Sequence, residues 1–335
     1  MSRRKRIFLS VILIIAASQI VFWAFFIYLN WGESEKVVVG ATFSPYVARD
    51  NFELDPKEVL RASLDDLGIK NYRLAANWNV IEQKPGQYYF GDLDWQLSEI
   101  AKRNGSVVLA IGRRLPRWPE CHDPGWLKGM EEEAVQARVL NLLKIIVNRY
   151  KNNDTIIAWQ IENEPLLSLF GNCPPPDIDF LKKEVDLVRS LDSRPLVLTA
   201  SGELSSWTNE AKLADWLGFS LYRTTWSPGA GITSYPLTSI YYKHRARIVK
   251  PLVKKIFVSE LQAEPWERFP LTQTPLVEQK IMMNKDMIAK EVKFAKKIGV
   301  DEVFLWGVEW WYWLKEQGDD AVWNKVKEIV AENMR

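Results

Sequence analysis

Two glutamates stand where strand ends could bring them together. Ile156-Ile157-Ala158-Trp159-Gln160-Ile161-Glu162 reads as a short buried strand that closes on Asn163-Glu164-Pro165. Lys255-Ile256-Phe257-Val258-Ser259-Glu260 is a second apolar run ending in a glutamate. A carboxylate at the C-terminal lip of a strand is a working position in an α/β barrel. Cleaving a glycosidic bond with retention needs two carboxyls about 5 Å apart, one protonated to release the leaving oxygen and one ionised to attack the anomeric carbon. Glu164 suits the acid/base role and Glu260 that of nucleophile. The donor must have a raised pKa, which partial burial and a neighbouring carboxylate supply.

The remainder of the chain alternates strand and helix patterns, the signature of a parallel α/β fold. Strands are expected at 37–43, 72–75, 107–111, 156–161, 196–200, 217–221, 256–258 and 303–306. Helices are expected near 56–67, 95–103, 131–150, 180–191, 210–215, 240–249, 277–298 and 321–332, with Asp55 as an N-cap and Gly68 as a stop. Eight strand–helix pairs predict a closed (β/α)8 TIM barrel over residues 37–335. The alternative, an open doubly wound sheet, usually carries a Gly-rich phosphate loop after its first strand, and Gly40-Ala41-Thr42-Phe43-Ser44 is no such loop.

The 335 residues suit one such domain, and the net charge of +2 owes its sign to the N-terminus. Arg3, Arg4, Lys5 and Arg6 carry four positive charges and residues 1–30 carry no acid, which leaves the body at −2 and argues against a nucleic-acid partner. The two histidines lie far apart and there is no Cys-x-x-Cys, so no metal site and no cofactor are implied. Tryptophan is in surplus, at 16 residues. Indole serves both as filler between helices and barrel and as a flat platform for sugar rings. Lys243, His244, Arg245, Arg247, Lys250, Lys254 and Lys255 form a basic cluster, read as a solvated helix face, with contact to an anionic polymer or lipid as the second reading.

Ile7 to Tyr28 is nearly unbroken apolar sequence, and a helix of ~20 such residues spans a bilayer. The expected organisation is a basic cytoplasmic tail (1–6), a transmembrane signal anchor (7–29), a linker (30–36) and the barrel. The basic tail orients the barrel outward. Cleavage at Ala16-Ala17-Ser18, the alternative, leaves an unhoused greasy segment at the mature end. Outside the membrane a disulfide persists. Cys121 and Cys173, the only cysteines, fall in the third and fourth strand-to-helix loops and are expected to pair.

Trp159 to Pro165 resembles the strand-4 motif of the clan A glycoside hydrolases, the cellulase-like superfamily. The resemblance covers most of the barrel. Val258-Ser259-Glu260 resembles its strand-7 nucleophile motif. Tyr72-Arg73-Leu74 with Trp78 resembles the strand-2 region, Phe219-Ser220-Leu221-Tyr222 strand 6, and Phe304-Leu305-Trp306-Gly307 strand 8. The resemblance implies that Arg73 and Tyr222 hold the nucleophile, Asn163 binds the sugar 2-hydroxyl, and Trp306 floors the subsite for the cleaved sugar. Trp78 and His122, the latter in the loop after strand 3, are further substrate-side candidates.

Glu162 shares side-chain parity with Glu164 and reads as a supporting group. Glu264 and Glu309 read as loop carboxylates within reach of substrate. Trp118, Trp126, Phe170, Trp226 and Trp266 in the loops suggest an extended cleft. The expected activity is retaining hydrolysis of a β-linked oligo- or polysaccharide outside the cell, with no obligate protein partner. A non-catalytic polysaccharide-binding barrel and an envelope-glycan transglycosylase are the alternatives.

Overall fold

The computed structural model describes residues 3–30, 32–227 and 229–333. Met1 and Ser2 of the basic tail, Trp31 of the linker and the last two residues of the barrel segment lie outside the described residues. Eight parallel strands close a barrel: β1 (Val38–Thr42), β2 (Asn71–Ala75), β3 (Ser106–Ile111), β4 (Ile156–Ile161), β5 (Leu196–Ser201), β6 (Trp216–Leu221), β7 (Lys255–Gln262) and β8 (Glu302–Trp306). Each pairs with its sequence neighbour, and β8 returns to β1 from Val38 opposite Glu302 to Thr42 opposite Trp306. A two-stranded hairpin, Thr224–Ser227 with Gly231–Ser234, extends the loop after β6.

The strands form because their residues are apolar on both faces, as a sheet sandwiched between helices and barrel interior requires. Val108, Ala158, Val197, Phe257 and Phe304 pack together, apart from the main core that joins strands to helices. Helix limits follow local chemistry. Asp55 caps Pro56–Asp65 by accepting from the Lys57 N–H at 2.8 Å, as expected. The single helix expected over 277–298 is two, Leu276–Met282 and Lys285–Ile298. Asn284 divides them, because its side chain accepts from the N–H groups of Asp286 and Met287 and starts the second helix afresh. A helix not foreseen, Val308–Glu316, follows β8 directly. Its Trp310 and Trp311 are fully buried, as are Trp78, Trp159, Trp207 and Trp323, so much of the surplus indole is core.

The helix Arg3–Asn30 precedes the barrel, and within it Ser10–Ile27 is long and apolar enough to cross a membrane. The basic cluster is not a uniformly solvated face. Lys243 is buried, with its Nζ 3.8 Å from Glu33, and Lys255 pairs with Glu302 at 2.5 Å.

Candidate active site

The C-terminal strand ends open into one cavity of about 670 Å³, lined by Glu164 and Glu260 together with Asn163, His122, Tyr222 and Trp306. Glu260 reaches it by a device absent from its expected strand. β7 runs on to Gln262, and its pairing with β6 slips between Phe219–Val258 and Ser220–Glu260. Such a bulge adds a residue, twists the strand and re-aims the side chain beyond it.

Arg73 is wholly buried inside the barrel and spends its fork on three acceptors: Gln160 Oε1 at 2.7 Å, Glu260 Oε1 at 2.7 Å and Asn163 Oδ1 at 2.6 Å. The Tyr222 hydroxyl donates to the other Glu260 oxygen at 3.0 Å. Both nucleophile-candidate oxygens therefore accept a hydrogen bond from a fixed donor. Burial and the Glu260 charge raise the Tyr222 phenol well above its ordinary value, so it remains a donor.

Glu164 has the opposite environment. Burial first, then the charges of Glu260 and Glu120, push its pKa up to about 8. Its single side-chain donor is Ser220 Oγ, at 2.6 Å from Oε1, while Thr199 Oγ1 accepts from its backbone N–H at 2.9 Å. A buried carboxyl that holds its proton, set beside one that accepts two fixed donors, is a proton donor and a nucleophile ready for paired work.

Backbone strain concentrates here. Glu162, Glu164, Arg117 and Glu120 all have positive φ, which non-glycine residues adopt only where the surroundings enforce it. Glu162 is turned away from the cavity. It accepts from the N–H groups of Arg113 at 2.6 Å and Arg114 at 2.5 Å, and so fixes the start of the loop after β3. Gly112 permits this, because at its φ of +125° a Cβ would stand 2.1 Å from Glu162 Oε1. Burial raises the pKa of Glu162, and burial and the Glu162 charge raise that of Glu184.

The loop after β3 supplies what sequence reasoning missed. Cys121 and Cys173 are joined, as expected, and tie this loop to the one after β4. Next to Cys121, Glu120 pairs with Arg114 and faces the Glu164–Glu260 pair; its own pKa is raised by burial. Arg117 reaches Glu264 at 2.5 Å and Glu309 at 2.8 Å, and its guanidinium lies 4.0 Å over the Trp306 ring. Trp306 therefore presents one face to Arg117 rather than to the cavity, and its Nε1 donates to Glu264 at 2.7 Å. The run Arg113-Arg114-Leu115-Pro116-Arg117 carried a signal, three arginines in a loop with few acids, but nothing local says that they fold inward. Ser220, Thr199 and Gln160 lay inside strands and were legible only as apolar-run interruptions.

Several expected residues stand elsewhere. Trp78 is fully buried, donates to Glu82 at 2.8 Å and packs edge-on against Trp126, which places it outside the cavity lining. Trp126 follows it, with Nε1 on the Glu82 carbonyl. Trp226 sits on the hairpin, outside the cavity lining, whereas Trp118, Phe170 and Trp266 are in it. Glu309 is not a loop residue. It is fully buried in the Val308–Glu316 helix and accepts from the Ser44 N–H at 2.6 Å. Glu264 does line the cavity. His122 lies in the wall, 6% exposed, with its pKa lowered by burial and its Nε2 without a protein partner. Among the described residues, no group of His, Cys, Asp and Glu is arranged to hold a metal.

No protein-family model matches the chain. Among curated proteins, it is similar to the β-galactosidase BgaA of Clostridium cellulovorans (26% identity over 172 residues, 43% of this chain and 25% of that one). It is also similar to a β-1,4-xylanase of Dictyoglomus thermophilum (34% over 89 residues, 27% of this chain and 23% of that one). The matched stretches thus span about a quarter of each relative. Among solved structures it superimposes on xylanase 10B from Thermotoga petrophila RKU-1 with a TM-score of 0.60 at 14% identity, over 92% of this chain and 96% of that one. GH5_18 from Streptomyces cattleya gives 0.61 at 12% identity, over 89% and 80%. A β-galactosidase from Halorubrum lacusprofundi gives 0.57 at 15%, over 80% and 52%. The structural neighbours are glycoside hydrolases of clan A, and the chain shares their parallel eight-stranded barrel fold.

Proposed function

We propose that this chain is a clan A glycoside hydrolase that cleaves β-linked glycans with retention of configuration, held at the outer face of a membrane by its N-terminal helix. The observation that carries the reading is the asymmetry between the two cavity carboxyls. Arg73 and Tyr222 donate to Glu260, while burial and the Glu260 charge keep a proton on Glu164 up to about pH 8. In the first step, a Glu260 oxygen bonds to the anomeric carbon as the glycosidic C–O bond breaks, and the Glu164 proton passes to the leaving oxygen. Loss of that proton leaves Glu164 as a base. It then takes a proton from water, whose oxygen attacks the same carbon and releases Glu260. Asn163, oriented by Arg73, offers its amide to a sugar hydroxyl beside the reacting carbon.

The test is release of reducing ends from β-galactan, β-xylan, β-glucan and β-mannan by the wild type, Glu164→Gln and Glu260→Gln. The matched relatives make galactan and xylan the first choices. Cleavage of one polymer that is lost in both variants supports the assignment, and a 2-fluoro glycoside should label Glu260. Labelling at another carboxylate, or turnover that survives Glu260→Gln, refutes it.

A further inference from the structure

The base of the barrel, opposite the cavity, carries a patch that the glycosidase reading does not use. The helix Ser239–Val249 descends from the mouth to the base and ends in Lys250-Pro251-Leu252, from which Val253 and Lys254 lead into β7. Ile248 is 55% exposed and Leu252 43%, and both stand beside exposed Lys250 and Lys254. Lys36, just before β1, and Lys297, at the end of Lys285–Ile298, are also exposed at this end of the barrel. Apolar side chains ringed by lysines match the chemistry of an anionic bilayer surface, in which aliphatic groups enter the headgroup layer and ammonium groups meet phosphate.

The linker brings the N-terminal helix to this end of the barrel. The Ser34 N–H donates to the Lys296 carbonyl at 3.0 Å, and Glu33 faces Lys243. The N-terminal helix ends at Asn30. Four residues of chain reach at most roughly 14 Å, so the helix end and the base of the barrel cannot be far apart. The acids at this end are Glu33, which faces Lys243, Asp215, 3.7 Å from Lys254, and the exposed Glu35 and Asp301.

Resting on the membrane-tethered reading, we propose that the base patch Lys250, Leu252 and Lys254, with Ile248, docks on anionic phospholipid beside the anchor and holds the barrel upright. The cavity then opens away from the bilayer. Glu260 lies five residues up β7 from Lys255, roughly 16 Å at the rise of a strand, so the reacting carbon is presented to glycan outside the headgroup layer.

The full-length protein in bilayer nanodiscs tests this, with a nitroxide on L252C at the base and on T272C at the mouth. Retention in neutral phosphatidylcholine discs through a high-salt wash reports the anchor. Collision with a water-soluble nickel chelate reports contact. In discs containing phosphatidylglycerol, the label at 252 should be shielded and that at 272 should not. K250Q/K254Q should weaken contact by roughly 25-fold, about fivefold for each charge near an anionic surface. A label at 252 as accessible as that at 272 in anionic discs, on a protein that stays anchored, overturns the docking and leaves the anchor standing. A chain washed from neutral discs overturns the tether, and the docking with it.

Discussion

Glu164→Gln should stabilise the fold while abolishing turnover, and its pH dependence identifies the cause. The Glu164 carboxyl has an ordinary value of 4.5 and is pushed to about 8 in the folded chain, first by burial. Unfolded chain releases this proton as pH rises through 4.5, whereas folded chain holds it until about 8. Between those values the unfolded state binds fewer protons, so stability falls as pH rises. A displacement of about 3.5 pH units at ~1.4 kcal/mol each puts the full cost near 5 kcal/mol above pH 8, against less than about 1 kcal/mol at pH 5. Glutamine fills the same space and carries no ionisable proton. The variant should therefore gain roughly 4 kcal/mol on the wild type between pH 5 and pH 9. With an unfolding entropy of about 2 cal/mol/K per residue over ~300 residues, the melting temperatures should diverge by about 6 °C across that range. Thermal unfolding of both proteins in matched buffers at pH 5, 7 and 9 makes the measurement. A gain equal at pH 5 and pH 9, or no gain, refutes a buried, proton-holding Glu164. A gain that falls as pH rises refutes the sign.

Four further outcomes follow from the same geometry. Ser220→Ala removes the one side-chain donor to the Glu164 carboxylate, so the basic limb of the kcat/KM profile, expected near pH 8, should move upward; movement downward counts against the proton-donor role. Tyr222→Phe deletes a donor to Glu260 and should lower kcat about 10–100-fold, with a smaller change in KM, as steady-state kinetics will show. Arg73→Met strands three acceptors, the buried Glu260 carboxylate among them; it should abolish activity and cost about 3–5 kcal/mol in denaturant unfolding, and a variant of wild-type stability would remove Arg73 from the centre of the network. Cys173→Ser opens a loop of 52 residues and should cost up to ~4 kcal/mol, while freeing Arg117 and Glu120 from their positions; unchanged kcat/KM on the polymer substrate would mean that the bridge supports stability alone.

The loop after β3 shapes this site more than its motifs do. It sets a guanidinium against the Trp306 ring and a carboxylate beside Glu164 and Glu260, so the cavity has a more polar wall than an open indole would offer. Arg117 is held from both ends, by Glu264 at the cavity wall and by Glu309 inside the protein. These contacts join residues far apart in sequence.

Local sequence determined the barrel and the position of its chemistry. Apolar runs separated by amphipathic helices dictate a parallel sheet covered on one side by helices, and glutamates that end such runs must gather at one mouth; the period of each run and the chain length suffice for that. The Asp55 cap and the pairing of Cys121 with Cys173 were legible for the same reason, since each depends on short spacing or on loop order. Only the tertiary structure decided the rest. The bulge that aims Glu260, the three acceptors of Arg73, the burial of Trp78 and Glu309, and the inward turn of Arg117 all depend on contacts between distant segments. Charge and desolvation act through space, so the raised pKa of Glu164 comes from walls and neighbours that sequence spacing does not encode.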